Sequence, residues 1–390
     1  MQGHIHKRVH RCQDGRETVR WYVVVDVPRH PDGRRRQRWH GGFRTRREAE
    51  VVRAKIVNEL HDGRYVIPAR VTLTEWIRDG WLPVIATQVK PTTARSYRQL
   101  MESHVLPVLG SRRVGDITPR DLVVVYSNLI AAEGPGRPLS RSTVRNIHLA
   151  IHKAFADASD AGLLAANPAS RAKPPRPIRG HGRPISVWRA SELAQFLEFV
   201  KSDRLAAVWR LTAMTGMRRG EVLALRWEDI DLAGARLVVS RAFIELDYRV
   251  LESTPKSNVA RAIDLDSATV AALARHRELQ RRERAEWGEA YQDADFLVAL
   301  EDGSPVRPSA FSGMFGTLVR RSGLRPIRLH DLRHLHATLA LQAGVPLTVV
   351  AERLGHHSPS FTLAQYAHAL PGMQAAAAAR IADMISPESR

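Results

Sequence analysis

Cysteine is almost absent: Cys12 is the only one in 390 residues. The chain therefore cannot close an internal disulfide or build a multi-cysteine zinc site, which leaves His and carboxylates as the possible metal ligands. A reducing compartment is compatible with that. The sequence also lacks any run of 18 apolar residues, an N-terminal apolar h-region and a lipidation motif, so neither a membrane span nor a membrane anchor is expected. Internal repeats and a Gly-rich Walker loop are missing too. Acidic residues are in deficit, with 40 Asp and Glu against 59 Lys and Arg, giving a formal charge of +19. An excess of this size favours a polyanionic partner through phosphate neutralisation and counterion release, and nucleic acid leads the possibilities. Hydrophobic residues at 44% and charged residues at 25% are ordinary for a globular protein, and the length suggests two or three domains.

The basic excess is uneven. Residues 1–65 hold sixteen Lys or Arg against eight Asp or Glu, an excess of eight concentrated in Arg34, Arg35, Arg36, Arg38, Arg44, Arg46 and Arg47. The β-rich stretch Val19 to Val27, the Pro31-Asp32-Gly33 turn and the run Trp39 to Phe43 predict a short antiparallel sheet. Thr45 is the expected N-cap of a helix over Arg46 to Leu60, in which Ala49, Val52, Ile56 and Leu60 recur at three- and four-residue spacing. From Thr72 to Asn167 the pattern is nearly all helical, with starts expected at Thr74, Thr92, Thr118 and Ser140 and breaks at Pro107 to Gly110 and Gly134 to Pro138. Within it, Lys90, Thr92, Thr93, Arg95 and Tyr97 interleave charge, hydroxyl and ring in a mixture suited to phosphate contacts, although a solvated helix face has the same composition. The Pro-, Gly- and Arg-rich stretch 171–184 is a linker. Residues 185–390 mix helices with one β interval, Arg236 to Leu265, and end in an Ala-rich helix near Met373 to Ile385. The domain organisation expected is thus 1–65, 71–170 and 185–390, joined by the basic linker.

Four segments of the last region carry groups that attack on a phosphodiester needs. In Thr215-Gly216-Met217-Arg218-Arg219-Gly220-Glu221, a turn places Arg218 at a helix start, where a permanently charged guanidinium can grip two phosphate oxygens. In Ser253-Thr254-Pro255-Lys256-Ser257-Asn258, a turn between strand-like runs presents Lys256, a mobile proton donor for a leaving 5′ oxygen. His330-Asp331-Leu332-Arg333-His334 opens a helix on which His330 and Arg333 share a face. His330 and His334 also have the four-residue spacing of some zinc sites, but the general-base Glu of that motif is missing and Arg333 lies between the two. Finally, Leu354-Gly355-His356 is followed by Tyr366 about two turns into a short helix. Taken singly, each segment has a commonplace alternative: a surface arginine, a hairpin lysine, a packed tyrosine.

The ordered series Arg218, Lys256, His330, Arg333, His356, Tyr366 resembles the active site of the tyrosine recombinase (phage integrase) family. The family's Thr-Gly-x-Arg-x-x-Glu box corresponds to Thr215 to Glu221, its His-x-x-Arg box to His330 to Arg333, and its Leu-Gly-His…Tyr box to Leu354 to Tyr366. Met217 stands where Leu is commoner and Gly220 where Ser is commoner. The basic head resembles the family's arm-type DNA-binding domain, and the helical middle its core-binding domain. The fold implied is multidomain α+β: a small three-stranded sheet plus helix, a helical SAM-like domain, then a mainly α catalytic domain with a small antiparallel sheet.

The resemblance implies Tyr366 as nucleophile, Arg218 and Arg333 as clamps on the non-bridging oxygens, Lys256 as general acid, His330 as acceptor of the tyrosine proton, His356 as phosphate support and Glu221 as a buttress of Arg218. It implies no metal, because two permanently charged guanidiniums already match the charge building on the phosphate oxygens, and no cofactor such as ATP, because the phosphotyrosine bond keeps the energy of the broken phosphodiester. It further implies double-stranded DNA with core and arm attachment sites, a homotetramer on DNA, accessory DNA-bending or directionality proteins, and a bacterial cytoplasm. Arg34, Arg35, Arg36, Arg38 and Arg44 of the head, with Lys90, Thr92, Thr93, Arg95 and Tyr97, are the expected DNA contacts. Three other readings use parts of the same inventory: a type IB topoisomerase, which rejoins the original strand; a non-catalytic DNA-binding protein of the same fold; and a metal-dependent nuclease.

Overall fold

The computed structural model describes residues 3–11, 17–27, 36–61, 71–131, 137–176, 187–254 and 260–355, with Ser360, Leu363, Ala378 and Ala382. Lys256, His356 and Tyr366 lie outside them, as do the Pro31-Asp32-Gly33 turn, Arg34, Arg35 and most of the expected C-terminal helix. The chain divides into two compact units, residues 1–179 and 180–390.

The first unit begins with an antiparallel sheet in the order β1 (His4–Arg11), β2 (Glu17–Val27), β3 (Arg36–Phe43). Alternation sends Val23 and Val25 to one face, where they pack on Ala49 and Ile56 of α1 (Arg46–His61). Thr45 accepts from the Glu48 amide while Glu48 accepts from the Arg44 amide. These reciprocal bonds start α1 at the expected place.

The helical part of this unit starts two residues earlier than expected, at Thr72, whose side chain and that of Glu75 form a reciprocal cap on α2 (Leu73–Glu75). The helix continues through a wide π turn, Trp76–Trp81, into α3 (Leu82–Gln88). A second wide turn, Met101–Val105, joins α4 (Pro91–Leu100) to α5 (Leu106–Leu109). Each wide turn sits just before a proline, Pro83 or Pro107. The missing proline N–H takes one bond out of the ladder, and the helix re-forms around the gap with i→i−5 bonds, from Leu82 to Ile77 and from Leu106 to Met101. Pro107 therefore lies inside the helix, and the break expected over Pro107 to Gly110 comes at its far end, Gly110. Likewise α4 is capped by Lys90 with Pro91 in its first turn, so Thr92 lies inside the helix. Thr118 and Ser140 do stand at the starts of α6 (Pro119–Ala131) and α7 (Arg141–Asp160). Ile77, Trp81, Tyr126, Ile147, Ile151 and Phe155 fill the core between these helices.

In the second unit, α8 (Ala190–Phe199), α9 (Ala206–Thr215) and α10 (Arg219–Leu223) precede the β region. That interval is more divided than a single sheet. One sheet has the order β4 (Ile230–Asp231), β5 (Arg236–Val239), β8 (Arg261–Asp264). A separate hairpin pairs β6 (Ala242–Leu246) with β7 (Arg249–Ser253). Asp247 and Tyr248, both at positive φ, make the two-residue hairpin turn. Strand β7, not singled out within the expected β interval, thus ends at Ser253, where the Lys256 segment begins. Helices α11 (Ser267–Trp287), α12 (Pro308–Arg321), α13 (Leu329–Gln342) and α14 (Leu347–Leu354) complete the described part.

An aromatic cluster centres this core: Trp209 is fully buried, stacks on Phe311 at 4.6 Å between ring centroids, and lies 6.0 Å from Phe315. Its indole N–H donates to Asp203 at 2.9 Å. Trp209→Ala should cost about 3–5 kcal/mol, the range for emptying a large aromatic site, as a fall in the urea or guanidinium midpoint of unfolding.

Candidate active site

The Thr215–Glu221 segment gets its shape from Gly216. This residue ends α9 in the left-handed conformation, φ 63°, and a Cβ there would lie 2.7 Å from Leu354 and 2.9 Å from His336. Only glycine serves at such a position without strain. The turn delivers Arg218 to the N-cap of α10, where its backbone N–H donates to one carboxylate oxygen of Glu221 at 2.9 Å and its Nη1 to the other at 2.8 Å. Glu221 is only 1% exposed. Arg261, on the buried face of β8, approaches it from the other side, donating from Nη2 at 2.6 Å and from Nη1 at 3.3 Å. Burial by itself pushes the Glu221 carboxyl up; the hydrogen bonds and charges of Arg261 and Arg218 outweigh it and hold the group below the usual carboxylate range.

The His-x-x-Arg segment opens α13. Arg328 and Asp331 close its first turn reciprocally, the Arg328 N–H donating to Asp331 at 2.8 Å and its Nη2 at 2.8 Å. Arg333 is buried, 4% exposed; its Nη1 donates to the carbonyl of Gly216 at 2.8 Å and its Nη2 to that of Leu354 at 2.6 Å. His330 stays at the surface, lining a cleft with Arg218, Arg219, Ser312, Phe315 and Arg328. Partial desolvation against the cleft wall, with His334 and Arg333, pushes its imidazole down to about 4 although the residue remains solvent-exposed. The ring is therefore neutral at physiological pH, the form that can accept a proton. Its neighbour His334 meets it edge-on at 5.0 Å. Among the described residues, no group of three or more His, Cys, Asp or Glu side chains is placed to hold a metal ion, and no helix is long and apolar enough to cross a membrane.

Of the Leu354 to Tyr366 segment, the structure describes Leu354, Gly355, Ser360 and Leu363. Gly355 caps α14 in the left-handed conformation, φ 64°, and three successive carbonyls at this helix end each receive a different arginine. Arg261 Nε donates to Arg353 O at 2.8 Å, Arg333 Nη2 to Leu354 O at 2.6 Å, and Arg218 Nη2 to Gly355 O at 3.0 Å. Carbonyls at a helix C-terminus have no intrahelical partner and carry partial negative charge, so cations are well placed there. The structure thus brings Arg218, Glu221, His330 and Arg333 together and ties Arg218 and Arg333 to the residues that lead into His356. Arg261 was missed in the sequence. The signal available was a charged residue in phase with Ile263 on a strand whose partner residues, Leu237 and Val239, are buried apolar ones.

Residues 187–372 match the phage integrase family, residues 72–130 the phage integrase N-terminal SAM-like domain, and residues 11–60 an arm DNA-binding domain. The chain belongs to the phage integrase family. This integrase-family chain is similar to a tyrosine recombinase XerC-like protein of Caldanaerobacter subterraneus subsp. tengcongensis, 27% identical over 97% of this chain and 99% of that protein. It is also similar to the ICEBs1 integrase of Bacillus subtilis, 27% identical over 87% of this chain and 91% of that protein. Among solved structures, the Tn1549 transposon integrase in complex with transposon right end DNA shares the fold, with a TM-score of 0.65 over 80% of this chain and all of that one at 21% identity.

Of the remaining expected DNA contacts in this family member, Arg44, Lys90, Thr92 and Arg95 are exposed. Arg38 and Thr93 are half-buried, and only the backbone of Arg36 is described. Tyr97 packs against the helical core, 5.4 Å from the Trp81 ring. A cationic and aromatic group went unnoticed in the sequence: Arg8 lies over Trp39 at 4.5 Å and over Tyr22 at 5.8 Å, with His6 5.2 Å from Trp39. The period-two series His6, Arg8, His10 was the available signal.

In Gly355→Ala, a side chain would meet both a left-handed backbone and Arg261 Nη1, 2.8 Å from the new Cβ; a stability loss of at least about 2 kcal/mol in urea unfolding is expected. His330 and His336 are both held near about 4, His336 through burial, then Arg353 and Arg333. Their folded-state values lie below the unfolded value near 6.5, so the folded state binds fewer protons between those pH values. Stability should fall as pH drops from about 6.5 towards 4, and His336→Gln should flatten the urea-midpoint profile across that window.

Proposed function

We propose that this chain is a site-specific DNA recombinase that cuts and rejoins DNA strands through a 3′-phosphotyrosine intermediate. What carries the reading is the convergence of Arg218 and Arg333 on the α14 terminus, directly before His356, with His330 lining the cleft beside Arg218. Tyr366 attacks a phosphodiester, its phenolic oxygen bonding to phosphorus while the bond to the 5′ oxygen breaks. A free phenol has a pKa of about 10, so it must lose its proton to a base or in strongly positive surroundings. Neutral His330 accepts that proton, and a phosphodiester anion beside the ring favours the resulting cation. Lys256 gives a proton to the departing 5′ oxygen.

Negative charge grows on the non-bridging oxygens as phosphorus becomes five-coordinate. Arg218 and Arg333 answer it with permanent positive charge, already oriented by carbonyl and carboxylate partners, so little reorganisation is needed at the moment of reaction. Each guanidinium has five N–H donors, enough to hold a protein carbonyl and a phosphate oxygen at once. His356 adds phosphate support, and Glu221 holds Arg218. Attack by a 5′ hydroxyl from a second DNA strand reverses the chemistry, with tyrosine as the leaving group.

The DNA itself is met by the cationic head, in which the Arg8, Trp39 and Tyr22 group joins Arg34, Arg35, Arg36, Arg38 and Arg44, and by the helical part through Lys90, Thr92, Thr93, Arg95 and Tyr97. Core and arm attachment sites are the DNA partners. Strand exchange between two duplexes needs four subunits, so the working assembly is a homotetramer on DNA, aided by DNA-bending or directionality proteins. A bacterial cytoplasm, where the DNA is, provides the setting.

The test is a nicked suicide substrate carrying attachment sites, incubated with wild type and Tyr366→Phe in EDTA and resolved on a denaturing gel. Wild type should give a protein–DNA adduct and Tyr366→Phe none. Binding by wild type without an adduct would leave a DNA-binding, non-enzymatic protein.

A further inference from the structure

Arg261 plays no part in the reaction as described, yet it is buried as an ion pair. Its side chain is 7% exposed and its ion-pair partner, the Glu221 side chain, 1% exposed. It holds both oxygens of Glu221 and, through Nε, the carbonyl of Arg353. Glu221 in turn holds the backbone and guanidinium of Arg218, whose other arm takes the carbonyl of Gly355. These bonds make a closed loop: Arg261 to Glu221, Glu221 to Arg218, Arg218 to Gly355, and back two residues along the chain to Arg353 and Arg261.

A buried ion pair is a weak device for stability, since desolvation of both charges offsets much of their attraction. It is a strong device for fixing geometry, because every member is held from two sides. Without Arg261, the Glu221 carboxylate would face burial with Arg218 as its remaining guanidinium partner, and would draw that side chain inward as a counter-ion. Arg218 would then be a poorer ligand for phosphate while the fold around it persisted. Gly355 fits the same logic, because only a residue without Cβ leaves the space that Arg261 occupies.

We propose that Arg261 is a positioning residue for the cleavage reaction: by satisfying Glu221 and fixing the end of α14, it leaves Arg218 free to clamp a non-bridging oxygen of the scissile phosphate. This rests on the recombinase reading of the same site. The proposal requires that the effect of Arg261 pass through the charge on that oxygen, which a general loss of structure would not do.

The experiment compares full-length wild type, Arg261→Gln, Arg261→Lys, Arg218→Gln and the Arg218→Gln/Arg261→Gln double variant on a suicide substrate with either a normal or a methylphosphonate scissile group. The methylphosphonate lacks the negative oxygen that Arg218 serves. On the normal substrate, Arg261→Gln should slow adduct formation by about 100-fold, the scale for losing one aligned electrostatic contact, with DNA affinity within about threefold of wild type and Arg261→Lys partly restored. On the methylphosphonate the two proteins should differ by less than about threefold, and Arg261→Gln should add little in the Arg218→Gln background. Equal losses on both substrates, or effects that multiply in the double variant, would overturn the proposal and leave Arg261 a purely structural residue. Should Arg261→Gln fail to fold, the same comparison with Arg261→Lys decides. An absence of adduct from wild type on the normal substrate would instead overturn the recombinase reading, and this proposal with it.

Discussion

The second unit is organised around the end of one short helix. Three adjacent carbonyls at the terminus of α14 need partners, and three arginines from β8, α13 and the start of α10 supply them. An unpaired carbonyl buried at a helix end would cost stability, and a buried guanidinium without acceptors would cost more. The two needs cancel only if α13, α14, β8 and the turn after α9 are all in place, so satisfying a local backbone shortage also fixes the relative positions of residues remote in sequence. The glycines at positions 216 and 355 make this possible, each admitting a neighbouring side chain where a Cβ would collide.

Much of the architecture was legible in the sequence. Runs rich in β-branched and aromatic residues on either side of a Pro-Asp-Gly stretch marked the sheet of the head, three- and four-residue spacing marked α1, and Ser140 and Thr118 marked helix starts. The errors were also physical. The break expected over Pro107 to Gly110 falls at Gly110 rather than at the proline, because a wide turn on the N-terminal side of Pro107 absorbs the missing donor and lets the helix pass. The β6–β7 hairpin was not separated from its neighbours because its turn is Asp247-Tyr248 rather than a glycine pair. In the sequence nothing distinguishes a two-residue turn of that composition from a strand.

At the site, the boxes around Arg218, His330 and Arg333 could be read because each combines a turn residue with charged groups at helical spacing. Arg261 could not, since its importance lies in a partner forty positions away. Single-sequence patterns report local periodicity; a buried ion pair between a strand and a helix cap is a tertiary fact. The same holds for the Arg8, Trp39 and Tyr22 group, which needs the register of three strands before its members become neighbours.

The arginine contacts at the end of α14 span long stretches of chain: Arg218 to Gly355 covers 137 residues, Arg333 to Gly216 covers 117, and Arg261 to Arg353 covers 92. Contacts of such sequence separation close late, because loop entropy is lost before they contribute. A chain still being synthesised can form its head and helical part while residue 355 has yet to be added. The arginine cluster therefore comes together only after residue 355 has been added, and a growing chain that has not reached it lacks the assembled site even though its head and helical part are already folded.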